Sequence, residues 1–262
     1  MLTLTIMHDR CLGMDLSTKQ DKAMALHWSQ GAAMMNNKIT NGVKQSEKDA
    51  LWASAVLLAT LAFASIEAET PDETWPLKPS SSTDLDWLKL IEGKKEIWKI
   101  ADPHRSDSIF YPQIPRFESH KKDFAAQEVD LSGLPPELVK ICHINNTSST
   151  ENNPYLLLVT TLARLNPIAC TPDTFGLYFS FFGAMDLEFK HLLGLKDPAA
   201  LLILASWYAR VCHLKQWWLW RRTSLECRAI CSYLKLFYET NSAIMSLVLG
   251  LEALLEQAAI PS

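Results

Sequence analysis

Between positions 199 and 214 almost every residue is apolar. Leu201, Leu204, Ala205, Tyr208 and Cys212 fall on one helical face, and Ile203, Trp207 and Val211 on another. That spacing predicts a helix wrapped by its neighbours rather than half exposed. Asp197 suits its N-cap and Pro198 its first position. Trp217, Trp218 and Trp220 follow within four residues, at the start of a second helix predicted over 215–238. A last helix is predicted over 242–258, where Gly250 is expected to let another backbone come close.

The same reading extends upstream. Residues 1–12 are apolar enough to be helical. A helix to about 40 starts at Thr18 or Asp21 and carries an apolar stripe of Met24, Gly31, Met34 and Met35. His27 interrupts that stripe and reads as a structural histidine. Asn41 and Gly42 make a turn, and Ser46 with Asp49 resembles a capping box. The helix over 47–68 is rich in Ala and Leu on all sides and is expected at the centre of the fold. Its small residues, Ala53, Ala55, Ala59, Ala62 and Ala64, let neighbouring helices approach.

Pro71, Pro76 and Pro79 make 69–83 a loop, anchored by Trp75. From position 84, Leu85, Leu88, Ile91, Ile97 and Trp98 recur at helical spacing, with Gly93 expected to interrupt or end the first half. Residues 101–129 read as a long, partly ordered connection. Short helices are predicted over 134–144 and 154–166, with a polar loop at 145–153. Residues 174–193 hold a second aromatic concentration, Phe175, Tyr178, Phe179, Phe181, Phe182 and Phe189, edged by Asp186, Glu188, Lys190 and His191. No alternating pattern outweighs the helical one. The expectation is an all-α chain, a single multi-helix orthogonal bundle over 1–262 with a buried apolar pocket.

Composition narrows the function classes. The chain is 48% hydrophobic and 21% charged, enough to bury a sizeable core. A net charge of -4 argues against direct nucleic-acid binding, which calls for a basic face. The six cysteines form no Cys-x-x-Cys pair, so no zinc site and no other metal is expected. They read as reduced core thiols of an intracellular protein, in cytoplasm or nucleus. The N-terminus, MLTLTIMHDR, lacks a cationic start and a cleavage site, so no secretory signal is read there. The apolar run over 50–66 is short and carries Ser54, Thr60 and Ser65, so no membrane span is expected.

Four stretches carry a resemblance: EKDALWASAVLLATLAFASIE, ETWPL, DLDWLKLIEGKKEIW and PAALLILASWYARVCHLKQWW. In order and spacing they resemble the C-terminal regulatory domain of fungal zinc-cluster transcription regulators, the sterol uptake control group, from about Leu26 onward. The resemblance implies an all-helical domain whose buried pocket takes a sterol-like ligand. The chain departs from that family in lacking the six-cysteine zinc cluster and a basic segment. It starts at Met1 well inside the usual regulatory region. Leu219, Trp220, Arg221 and Arg222 also stand where the family tends to have Gly-Trp.

Two readings of the aromatic residues stay open, core filling and the wall of a pocket for a bulky apolar guest. On the second, Phe63, Trp75, Phe179, Phe182, Leu204, Trp207, Tyr208, Trp217, Trp218 and Trp220 line the site. The first functional expectation is a domain that binds a sterol- or terpenoid-like molecule without its DNA-binding module. The alternative is a biosynthetic enzyme that reuses the pocket for a cyclisation, isomerisation or intramolecular Diels-Alder-type cycloaddition. No nucleophile elbow, phosphate loop or dinucleotide fingerprint is present, so such chemistry needs no cofactor and gains from holding one reactive conformer. Tyr208, His213, Trp217 and Arg221 are its candidate hydrogen-bond donors, and Asp186 and His191 its acid-base groups. Each also has a structural reading: Tyr208 a core residue, His213 and Arg221 helix-end charges, Asp186 a helix cap. A third expectation is an interaction module, homodimeric or paired with an intact regulator.

Overall fold

The structure, a computed structural model, describes residues 2–14 and 18–258. Those residues form helices joined by turns and loops, with no strand among them, so the chain is all-α as its periodicity predicts. The contacts divide it into two compact units, Met1–Ile66 with Asp86–Ser119 and Glu67–Leu85 with His120–Ser262.

The first unit contains α1 (Leu2–Cys11), α2 (Thr18–Asn41), α3 (Lys48–Ala64) and α4 (Asp86–Ala101). The N-cap side chains expected for α2, Thr18 and Asp21, lie outside the described side chains. The half-buried face of α2 is Met24, Trp28, Gly31, Met35 and Ile39, so His27 and Met34 of the predicted stripe are exposed. α3 is the hub. It packs chiefly along α4 and also meets α1 and α2. Its buried Ala55, Ala59 and Ala62 remove side-chain bulk on the face that a neighbour can approach.

Phe63 of α3 meets Trp87 edge-on with centroids 5.0 Å apart, and Trp52 meets Trp98 edge-on at 4.8 Å. Leu51, Ala55 and Ile97 form a small core with Met35, Ile39, Val43 and Trp52 against it. α4 passes through Gly93 without a break, since summed helix propensity and packing outweigh one glycine. Asp49 forms no capping box with Ser46. It accepts instead from the Arg105 guanidinium, from Ser108 Oγ at 2.8 Å and from the Ile109 amide at 3.0 Å.

Residues 101–129 are more ordered than proline and charge suggest, because α5 (Ile114–Ala126) lies within them. Pro115 sits in its first turn, where a missing N–H costs nothing.

The second unit contains α6 (Pro136–Ile141), α7 (Leu156–Leu165), α8 (Phe175–Tyr178), α9 (Ser180–Gly183), α10 (Leu187–Gly194), α11 (Pro198–Val211), α12 (Trp217–Tyr238) and α13 (Ser242–Ala258). α11 starts as expected. The Asp197 carboxylate accepts from the Ala200 amide at 2.9 Å and Pro198 fills the first turn. Eleven of its fourteen residues are buried, under α6, α7, α10, α12 and α13. After Pro198, only Ser206 and Arg210 remain partly open. They are four residues apart, on one edge.

Among the described residues no single helix is long and apolar enough to cross a membrane. α10 and the segment Pro198–Leu214 reach that length and apolarity only together, across a bend of 100°.

Candidate functional site

The aromatic residues of the second unit divide by burial. Trp207 is fully enclosed. Its indole donates to the Tyr178 carbonyl at 2.9 Å, Phe181 stacks on it at 5.6 Å, and Phe182 meets it edge-on at 4.6 Å. Leu204 and Tyr208 are equally buried. These side chains fill the centre of the unit. Trp217, Trp218 and Trp220 are only half-buried at the start of α12. Trp218 lies nearly parallel to Phe179, with centroids 6.3 Å apart, and edge-on to Phe175 at 5.5 Å. Trp75 is buried in the 67–85 segment, and Phe63 belongs to the core of the first unit.

The candidate polar groups each have their own partner or none. Tyr208 donates to Glu226 Oε2 at 2.6 Å, and Glu226 is ion-paired to Arg222 one turn earlier on α12. Burial pushes the Tyr208 hydroxyl well above its usual range, and the Glu226 carboxylate beside it adds to the rise. Burial likewise raises Glu226, with Arg222 and the Tyr208 hydrogen bond opposing. Tyr208 is therefore a neutral donor locked inside the core.

Arg221 donates to the Ala68 carbonyl at 2.9 Å and pairs with Glu69 at 3.1 Å, tying α12 to the 67–85 segment. Asp186 caps α10 by accepting from the Phe189 amide at 2.8 Å. His213 and His191 are exposed. No hydrogen bond or ion pair joins any two of Tyr208, His213, Arg221 and Asp186 among the described residues.

Open space lies elsewhere in this unit. α6, α11 and α13 leave between them a half-open groove of about 280 Å³. One wall follows the stripe Leu202, Ser206 and Arg210 of α11, spaced i, i+4, i+8. A second follows Ser246, Gly250 and Leu254 of α13 at the same spacing, with Leu247 and Leu251 beside them. Leu134, Pro135, Glu137 and Leu138 close the third side. The floor is apolar, since Ser206 turns its hydroxyl back onto the Leu202 carbonyl at 2.7 Å.

Gly250 keeps one wall low. A Cβ at that position would meet nothing within 4 Å. The glycine thus opens the groove instead of admitting the close backbone expected there.

None of the ten residues expected to line a ligand site lines this groove. The signal that marks it is subtler than aromatic content. Ser206 and Arg210 are the polar positions of α11's interior, one turn apart, and Gly250 is a lone glycine in an apolar helix. No protein-family model, curated protein or solved structure matches the chain. Among the described residues, no group of three or more His, Cys, Asp or Glu is placed to hold a metal ion.

Proposed function

We propose that the second unit binds a bulky apolar small molecule, sterol- or terpenoid-like, in the groove between α6, α11 and α13. The observation that carries this reading is the edge of α11. A helix otherwise sealed by its neighbours leaves Ser206 and Arg210 partly open, and with the buried Leu202 they line an apolar hollow. Apolar surface facing a concave hollow favours a guest at roughly 25 cal/mol per Å² removed from water. A volume of about 280 Å³ lies near the lower end of small-molecule clefts. A compact terpenoid skeleton therefore fits better than a complete tetracyclic sterol.

The sequence resemblance supports the same class of ligand, that of a fungal regulator's regulatory domain working without a DNA-binding module. Cysteines that are all free thiols, four of them buried, fit a reducing intracellular setting such as cytoplasm or nucleus.

The test is a titration of the purified chain with a sterol and with open-chain and cyclic terpenoids, read by calorimetry. Saturable binding that disappears in Gly250→Leu, which fills the hollow from α13, is the expected result. Absence of saturable binding by every compound, or binding unchanged by Gly250→Leu, overturns the assignment.

A further inference from the structure

The groove holds two ionisable side chains, Arg210 on α11 and Glu137 on α6, and they do not pair with each other. Among the described residues Arg210 makes one hydrogen bond, from Nη2 to Asn166 Oδ1 at 2.6 Å, and no ion pair. A guanidinium carries five donors in a rigid planar fork, so most of its donating capacity is unused. Leu202, Leu247, Leu251 and Leu254 share the groove with it, beside Ser206, Ser246 and Glu137. Burial lowers the Arg210 pKa from the ordinary arginine value, with the Tyr178 hydroxyl nearby opposing. Asn166 holds one nitrogen and thereby limits the fork's rotation.

We propose that the ligand of this groove is an amphipathic carboxylic acid, its apolar body on the leucines and its carboxylate on Arg210. This rests on the groove being a ligand site and names the chemistry of the ligand. A neutral guest satisfies the leucines and leaves the guanidinium short of partners in a drying site. A carboxylate accepts two parallel hydrogen bonds from the fork and supplies the missing charge. No existing ion pair has to break to admit it. The carboxylate of a fatty acid and that of a terpenoid acid are equivalent at Arg210, and the two differ only in the skeleton that the leucines must accommodate.

The experiment compares matched head groups on one tail. Laurate, dodecanol and dodecylamine are titrated into the full chain by calorimetry at neutral pH, with farnesoate and farnesol as the branched pair. The expected order has laurate at least about tenfold tighter than dodecanol, the size of effect a hydrogen-bonded charge supports, with dodecylamine weakest. A tighter farnesoate than laurate assigns the terpenoid skeleton, and the reverse assigns the straight chain; both keep the carboxylate. In Arg210→Met the acid and the alcohol bind equally, while in Gly250→Leu neither binds.

Equal binding of laurate and dodecanol by the unmodified chain, both lost in Gly250→Leu, leaves the groove as a ligand site and overturns the carboxylate. Preference for dodecylamine makes Glu137 the reader and overturns it as well. If no compound binds, or Gly250→Leu leaves binding intact, the groove itself is not the site. The comparison on the unmodified chain stands whether or not the Arg210→Met protein folds.

Discussion

The Tyr208 hydroxyl donates to Glu226 at 2.6 Å inside the second unit, where both side chains are buried. Arg222 closes the group from one turn away on α12. The three residues bind α11 to α12 through a charge that water does not share. Removing one partner of such a pair leaves the other unbalanced. Arg222→Met is expected to lower unfolding free energy by about 3–5 kcal/mol, and Tyr208→Phe by about 1.5–3 kcal/mol. Urea denaturation followed by circular dichroism measures both.

Glu226 also sets a pH dependence. Burial raises its carboxyl above the ordinary 4.5 in the folded chain. A raised folded value means that its contribution to stability is fully present below 4.5 and is lost as pH climbs through the folded value. The unmodified chain should therefore lose stability relative to Glu226→Gln as pH rises above 4.5 and through the higher folded value. Removing Arg222 strips away an opposing influence, so Arg222→Met should steepen that loss. Melting temperatures across the pH range decide it; parallel curves for the unmodified chain and Glu226→Gln contradict the assignment.

Asp49 performs a different task in the first unit. Its carboxylate gathers Arg105, Ser108 and Ile109 onto the start of α3. The Ile109 amide, then the Ser108 and Arg105 side chains, hold its carboxyl below the usual 3.8, against burial. That contribution is present above 3.8 and disappears as pH falls through the lower folded value. Asp49→Ala should cost about 1–3 kcal/mol. Hydrogen exchange should show the Ile109 amide losing its protection in the variant at neutral pH.

The fold was legible where one physical signal dominated. α11 has a cap, a first-turn proline and apolar residues all round, and those dictate both its limits and its burial. α5 was not legible, because Pro115 and a run of charges mimic a connection while only Ile114 and Phe124 are deeply buried. The site was hidden for a related reason. Aromatic residues announce themselves by composition, yet burial depends on neighbours far away in the chain, and Trp207 is sealed by Phe181 and Phe182. The groove depends on how three helices fail to meet, which Leu202, Ser206, Arg210 and Gly250 only outline.

Asp186 separates a cap from a catalytic group. Its carboxylate accepts from the Phe189 amide at the start of α10. Asp186→Ala should cost about 1 kcal/mol, the usual value of a lost N-cap, and leave ligand affinity unchanged. A tenfold or larger loss of affinity in a folded Asp186→Ala chain would return the residue to a functional site.

Gly250 gives the sharpest opposition between stability and binding. A glycine inside a helix costs about 1 kcal/mol relative to alanine, because it gives up more backbone freedom on folding. A Cβ at Gly250 meets no atom within 4 Å, so Gly250→Ala adds no clash. The variant should gain about 0.5–1 kcal/mol, seen as a higher urea midpoint with an unchanged slope. The methyl group also enters the groove wall, so a ligand seated there should bind more weakly to the more stable protein. Destabilisation by Gly250→Ala would mean instead that another backbone crosses α13 at this point, and the groove would lose one of its walls.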